Sequence, residues 1–263
     1  MTVDTTDTAH LARLLDDAAR TATPRGQLTA LAPGMDLDAA YDVQAALAGL
    51  RVARGERISG VKLGFTSRAK MRQMDVSDLI GGRLTSGMEV PDGGVFDMAM
   101  FIHPRVEAEI AFILRRPLQG VVSTVEARNA IEAVLPALEI IDSRYQDFRF
   151  NVVDVVADNA SAAGFVLGAP ALADTDFSNL GMVMHRNGQI VQTGSSAAIL
   201  GHPLRALVAA ARLAGERGEC LRPGEIVLAG AATAAVPLLP GCHVSVSVQS
   251  LGRVGFTTTG ERP

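Results

Sequence analysis

Residues 101–114 read FIHPRVEAEIAFIL, and further along residues 135–142 read LPALEIID. Both are short apolar runs that carry acids. Side chains alternate along a strand, so Glu107 and Glu109 share one face with Ala111 and Ile113, while Val106, Ala108, Ile110 and Phe112 take the other. Both faces are apolar, so the strand is expected to be buried on each side with two carboxylates inside. The same texture of short apolar runs punctuated by glycine recurs in SGVKLGFTS (59–67) and GGRLTSGMEVPDGGVFD (81–97), which is how strands separated by tight turns read. Asn187-Gly188, between MVMH and QIVQT, and Leu251-Gly252, between HVSVSVQS and RVGFTTT, are hairpin signals that call for antiparallel pairing in the C-terminal third.

Upstream of this β-rich part the period changes. Leu11, Leu14, Leu15 and Ala18 predict a helix from about Thr8 to Ala22, closed off by Pro24 and Gly26. Asp36 is placed to cap a second helix carrying Ala40, Val43, Leu47 and Leu50, with Gly55 terminating it. Residues 1–58 are therefore expected to form a helical N-terminal section, and residues 59–263 a β-rich catalytic domain. Two helices interrupt the latter: one behind the Ser123 to Glu126 capping box, ahead of Ala127, Ile131 and Val134, and one from Pro203 through Leu207 and Ala211 to Gly215 and Gly218. Strands do not alternate regularly with helices. The expected fold class is thus α+β, with a mixed or antiparallel sheet, rather than a doubly wound parallel sheet.

Composition narrows the function. The 263 residues are 48% hydrophobic, and 24 Lys+Arg against 28 Asp+Glu leave a net charge of −4. Such a chain folds around a sizeable core, and it lacks the clustered cations that a nucleic-acid surface needs. The N-terminus has no basic start followed by an apolar run, and no stretch of 18 uncharged apolar residues was found, so neither a targeting signal nor a membrane span is expected. Cys220 and Cys242 cannot build a disulfide framework and read as small buried hydrophobes, which suits a reducing cytoplasm.

The carboxylates carry the chemistry. An acid in apolar surroundings is costly unless paired or metal-bound, and two on one strand face also repel each other. A divalent ion on Glu107 and Glu109 answers this, and Glu139, alone among Leu138, Ile140 and Ile141, is the third candidate ligand. Oxygen-only ligation selects a hard ion, Mg²⁺ or Mn²⁺; zinc is disfavoured because none of His10, His103, His185, His202 and His243 pairs at ligand spacing. The alternative is that the acids face solvent on a half-exposed strand. A second polar concentration, IIDSRYQDFRFNVVDVVADNAS (140–161), holds Asp142, Arg144, Asp147, Asp154, Asp158, Asn159 and Ser161, with Asp154 and Asp158 read as caps in a solvated loop. Lys62, between Val61 and Leu63, reads by itself as a snorkelling surface lysine.

Taken together, GxKxGxTS (60–67), PRVEAEIAF (104–112), PALEIIDSR (136–144), VVADNAS (155–161), TGSSAAILGHP (193–203) and LRPGEIVLAGAAT (221–233) resemble the 2-keto-4-pentenoate hydratase and 4-oxalocrotonate decarboxylase family of the fumarylacetoacetate hydrolase superfamily. The likeness runs collinearly from about residue 35 to 258. It implies a mixed, mostly antiparallel β-roll with a small helical N-terminal part, a Mg²⁺ or Mn²⁺ site with no organic cofactor, and a homo-oligomer. The family's E-x-E…E ligand pattern falls on Glu107, Glu109 and Glu139. Its active-site lysine falls on Lys62, overturning the surface reading, and its substrate contacts fall on Arg144, Ser161 and the turn bearing Ser195 and Ser196. Hydratases of the family carry an acid where this chain has Ile80, with Asp78 close by in sequence.

That departure favours the decarboxylase branch. The resemblance then implies loss of CO₂ from 2-oxohex-3-enedioate, a small 2-oxo dicarboxylate, to give 2-hydroxypenta-2,4-dienoate in aromatic meta-cleavage catabolism. A metal acting as Lewis acid, helped by Lys62, would stabilise the dienolate. The alternatives are the 2-hydroxypenta-2,4-dienoate hydratase itself and a non-catalytic subunit that binds such a hydratase. Carbon–carbon hydrolysis, with His103 or His202 as base, is a weaker reading.

Overall fold

The structure is a computed structural model that describes residues 5–66, 71 and 78–260. Ser67 of the GxKxGxTS motif, and residues 68–70 and 72–77 of the segment that follows it, lie outside the described residues.

The N-terminal helices form where the apolar spacing predicts. Helix α1 (Thr5–Arg20) buries Leu11, Leu15 and Ala18, and α3 (Leu37–Ala53) buries Ala40, Val43 and Leu47 against it. Asp36 caps α3 by accepting a hydrogen bond from the Ala39 N–H at 2.9 Å, and Gly55 follows its end at a φ of +99°. Arg54, the C-cap of α3, holds Asp16 of α1 through two hydrogen bonds of 2.7 Å. A one-turn helix α2 (Leu28–Leu31), with no sequence signal, lies between them. These helices share one apolar cluster with Ile80, Tyr145, Val155 and Val156, so they are packed onto the β-rich part.

Two sheets follow. The first runs β2 (Ile80–Thr85), β1 (Ile58–Gly64), β10 (Ile226–Leu228), β4 (Arg105–Leu114), β5 (Ile131–Ile141) and β6 (Ala162–Leu167), with β7 (Ala171–Leu172) added to β5 and β11 (Val236–Pro237) to β4. Only the β1–β10 pair is parallel in it. The second runs β3 (Val95–Phe96), β13 (Gly252–Thr258), β12 (His243–Val248), β8 (Gly181–Arg186) and β9 (Gln189–Ser195). The architecture is therefore the expected α+β one, mixed and mostly antiparallel.

Strand β4 buries both faces. Val106, Ala108, Ile110 and Phe112 enter the main core with Val246, Val254 and Phe256 of the second sheet, while Ala111 joins Leu135, Ala137, Phe165 and Leu228 on the other side. Helix α6 (Pro203–Glu216) closes the main core with Ala206, Leu207, Ala210 and Ala211. The segment Ser196–Glu216 reaches 21 residues at a mean hydropathy of 1.2, long and apolar enough by those measures to cross a membrane. Its apolar face is spent on the sheets, and it carries Arg205 and Arg212.

Three local expectations change. The Ser123–Glu126 capping box is present, but its helix, α4 (Thr124–Asn129), is six residues long, and Ile131 and Val134 belong to β5. A cap starts a helix without lengthening it, and the apolar, β-branched run beyond Ala130 pairs along β4 instead. The second hairpin turns over Gln249, Ser250 and Leu251, with Ser250 at a φ of +63° and Gly252 already paired to Val248. Asp154 and Asp158 are buried rather than solvated. Asp154 does form a capping box with Asn151 at the start of α5 (Val152–Ala157), and it also accepts hydrogen bonds from Gln27 and Thr29, fastening the α1–α2 connection to this helix.

Candidate metal centre

The antiparallel register of β4 and β5 sets Glu107 directly opposite Glu139, and the period of two puts Glu109 on the same face one step along. One oxygen from each carboxylate lies within 4.8 Å of the others, and the three residues are 5%, 0% and 0% exposed for Glu107, Glu109 and Glu139. The half-exposed-strand alternative is therefore excluded. Glu109 Oε2 accepts the Gly230 N–H at 2.8 Å, but among the described residues no donor reaches Glu109 Oε1 or Glu139 Oε2.

Buried acceptors without donors are rare because each forfeits its solvation. Burial, then the neighbouring Glu139, pushes the Glu109 carboxyl well above the usual carboxylate range, and burial likewise raises Glu139. A cation among these oxygens would offset that cost, and this all-oxygen anionic set fits a hard divalent cation.

Lys62 reaches this face from β1, across the short strand β10. Its ammonium lies 3.0 Å from Glu139 Oε1 and donates to the Ala160 carbonyl at 3.0 Å, with only 3% of the residue exposed. Burial alone would lower its pKa, but Glu139, Glu109 and Glu107 outweigh it and hold Lys62 above the ordinary lysine value. Gly82 on β2 makes room for this: a Cβ there would stand 2.6 Å from the Asn159 carbonyl oxygen and 3.0 Å from Lys62 Cδ.

The carbonyl that Lys62 meets belongs to a strained turn. Asn159, Ala160 and Ser161 have φ values of +53°, +50° and +59°, three successive left-handed non-glycine residues that together cost on the order of 3 kcal/mol. Asn159 holds its end by exchanging hydrogen bonds of 2.7 and 2.9 Å with the Arg83 backbone, and Asp142 N–H donates to the Ser161 carbonyl. Ser161 Oγ is buried without a hydrogen-bond partner among the described residues.

Over this face opens a cavity of about 310 Å³. Lys62, Arg105, Glu107 and Ser161 give it polar groups, and Ile80, Phe148, Phe150 and Val155 give it apolar walls. Of the residues singled out from sequence, the structure brings together Lys62, Glu107, Glu109, Glu139 and Ser161. Arg144, Ser195 and Ser196 do not line this cavity. The Arg144 guanidinium is bound to the Asp158 carboxylate and to the carbonyls of Asp142, Asp158 and Ala162. Ser196 Oγ donates to the Phe177 carbonyl and accepts from Leu180 N–H, and Ser195 Oγ donates to Asn179.

Arg105 was missed. Its signal was available, since it stands two residues before Glu107 and therefore shares the face of Glu107 and Glu109. The two residues bearing on water activation also separate clearly. Ile80 is 5% exposed and lines the cavity, whereas the Asp78 carboxylate pairs with Arg212 of α6 at 2.7 Å and is not among the lining residues. His202 caps α6, its Nδ1 accepting from Leu204 N–H.

Comparison with known proteins places this site in a family. Residues 83–258 match the family described as fumarylacetoacetate (FAA) hydrolase, C-terminal. The chain is 55% identical over 254 residues to a 4-oxalocrotonate decarboxylase of a Pseudomonas species, covering 97% of this chain and 99% of that one. It is 37% identical over 241 residues to a 2-keto-4-pentenoate hydratase of Paraburkholderia xenovorans (strain LB400), covering 89% and 90%. A solved structure of the 4-oxalocrotonate decarboxylase from Pseudomonas putida G7, complexed with magnesium and adipate, superposes with a TM-score of 0.95 at 41% identity over 98% of this chain and 99% of that one. With relatives this similar along almost its whole length, and a buried carboxylate triad suited to a divalent ion, the chain belongs to the fumarylacetoacetate hydrolase family of enzymes.

Proposed function

We propose that this enzyme is a divalent-metal-dependent decarboxylase of 4-oxalocrotonate (2-oxohex-3-enedioate), releasing CO₂ and 2-hydroxypenta-2,4-dienoate in the cytoplasmic catabolism of aromatic compounds. The observation that carries the reading is the lining of the cavity over the triad: Lys62 and Glu107 supply groups that can stabilise an enolate, and Ile80 stands where hydratases of the resembled family carry an acid. The 55% identity to a protein named for this activity, against 37% to a hydratase, supports the same branch.

In this reading Glu107, Glu109 and Glu139 hold the ion. When bound, the ion supplies Lewis-acid stabilisation of negative charge on the substrate's 2-oxo end. Breaking the C5–C6 bond releases neutral CO₂, and its electron pair moves through C4 and C3 to the 2-oxo oxygen, which is protonated to give the hydroxydiene. Lys62, fixed by Glu139 and the Ala160 carbonyl, presents its ammonium to that developing charge without reorganising. Ser161 offers a hydroxyl to the same end, and Phe148, Phe150 and Val155 line the conjugated chain while excluding water. Arg144 acts one layer back, holding the 158–161 turn that carries the Lys62 acceptor.

The test follows CO₂ and hydroxydiene together from the enedioate, with and without Mg²⁺. Metal-dependent release of both is expected. Hydration of 2-hydroxypenta-2,4-dienoate without CO₂ release from the enedioate would instead establish the hydratase.

A further inference from the structure

We infer that Arg105, held in place by Phe148, receives the distal carboxylate of the substrate and makes this site selective for 2-oxo diacids over 2-oxo monoacids. The inference rests on the reading above only in taking the 2-oxo acid end of the ligand to lie at the glutamate triad.

Arg105 stands on β4 one alternation before Glu107, about 7 Å along the strand, on the same face and half-buried at the cavity wall. Among the described residues its guanidinium makes no ion pair and no hydrogen bond, while Arg51, Arg54, Arg83, Arg144 and Arg212 are each paired with an acid. A half-buried guanidinium with its donors unspent is a receptor for a planar anion, because its fork matches the two oxygens of a carboxylate.

The aromatic partner defines which part of Arg105 is available. Arg105 Cζ lies 4.4 Å from the Phe148 ring centroid, and the His103 ring packs against Phe148 with centroids 4.4 Å apart. Stacking occupies the flat face of the guanidinium and leaves its N–H edge for a ligand. Phe148 is brought there at a backbone cost: it and Asp147 both have a φ of +56°, a conformation non-glycine residues rarely adopt. Two successive strained residues ending on a ring that steadies an otherwise unpaired cation make sense as a built specificity element.

The chemistry assigns Arg105 to recognition rather than to bond breaking. The distal carboxylate departs as uncharged CO₂, so its ion pair with Arg105 is strongest in the ground state and is lost as the C–C bond opens. Removing such an interaction raises KM more than it lowers kcat.

The experiment compares two six-carbon ligands that share the 2-oxo acid end and differ only in the distal carboxylate, 2-oxoadipate and 2-oxohexanoate. Their dissociation constants are measured by calorimetry with Mg²⁺ present, for the native enzyme and for Arg105→Gln. The native enzyme should prefer the diacid by about tenfold or more. Arg105→Gln should abolish that preference while leaving 2-oxohexanoate affinity within about twofold. Arg105→Lys, which keeps the charge but not the fork, should fall between. Equal loss for both ligands, or an unchanged preference, would overturn the inference. Because no turnover is needed, absence of CO₂ release would count against the decarboxylase reading alone.

Discussion

At the scale of single residues, the site is a balance of buried charge. Glu107, Glu109 and Glu139 share one buried face, and among the described residues Lys62 brings its ammonium to it. Burial, and then Glu139, raises the Glu109 carboxyl well above its ordinary value, and an ion bound beside it would reverse that shift. Mg²⁺ binding should therefore release protons and tighten as pH rises, read by titration calorimetry in buffers of different ionisation enthalpy. Glu139→Gln removes one of the proposed ligands and the partner of Lys62, and should weaken Mg²⁺ binding by at least about tenfold while sharply reducing turnover. Asp158 gives a separate pH signature. Burial pushes its carboxyl up to about 6 against the pull of Arg144, whereas the unfolded group titrates near its ordinary 3.8. Between those values the folded state binds the extra proton, so this group's contribution to stability is fully present below about pH 4 and falls as pH rises to about 6. Asp158→Asn should flatten that part of the stability profile in urea unfolding. It should also cost about 3–5 kcal/mol at neutral pH, because Arg144 is left buried without its counter-charge.

At the scale of elements, strand period and turn strain do the positioning. Strand β4 is a two-sided device, with hydrocarbon on one face and Arg105, Glu107 and Glu109 on the other. The shared face of Glu107 and Glu109 was legible from alternation, and the two long N-terminal helices, α6 and the Asn187-Gly188 hairpin from their own period and turn signals. Helix α4 was over-extended because a capping box carries no information about length, while the pairing of Ile131 and Val134 with β4 does. The left-handed turn at 159–161 had no sequence signal, since none of its residues is glycine. Close approach of β2 to this turn is the weak point. Gly82→Ala would drive a methyl into the Asn159 carbonyl and the Lys62 stem, so we expect a folded protein with Lys62 displaced and turnover reduced at least about tenfold, checked by kinetics beside circular dichroism.

At the scale of the whole molecule, the centre is rigid because its back is the main core. Val106, Ile110 and Phe112 are fully buried between the first sheet and Val246, Val254 and Phe256 of the second. Ile110→Ala should destabilise the protein by about 2–5 kcal/mol through lost burial and a residual cavity, measured by urea unfolding. It should leave the Mg²⁺ affinity of the folded enzyme nearly intact, since it lies on the opposite face of β4 from Glu107 and Glu109. The sheet order also explains how a lysine near the start of the β-rich part meets acids far along the chain. Strand β10, from the last quarter of the sequence, inserts between β1 and β4, pairing Lys62 with Leu228 and Leu228 with Ala111.

The sequence by itself determined which acids share a strand face, because alternation along β4 is a local property that no tertiary arrangement can change. It also carried enough motif to name the family. Only the tertiary structure decided which cations meet those acids. Lys62 read alone as a surface residue because the strand that bridges it to the triad is distant in sequence. Arg144 was spent on Asp158, and Arg105 was left with an open edge over the cavity. Charge pairing is settled by which strands become neighbours, and that depends on contacts between segments far apart in the chain.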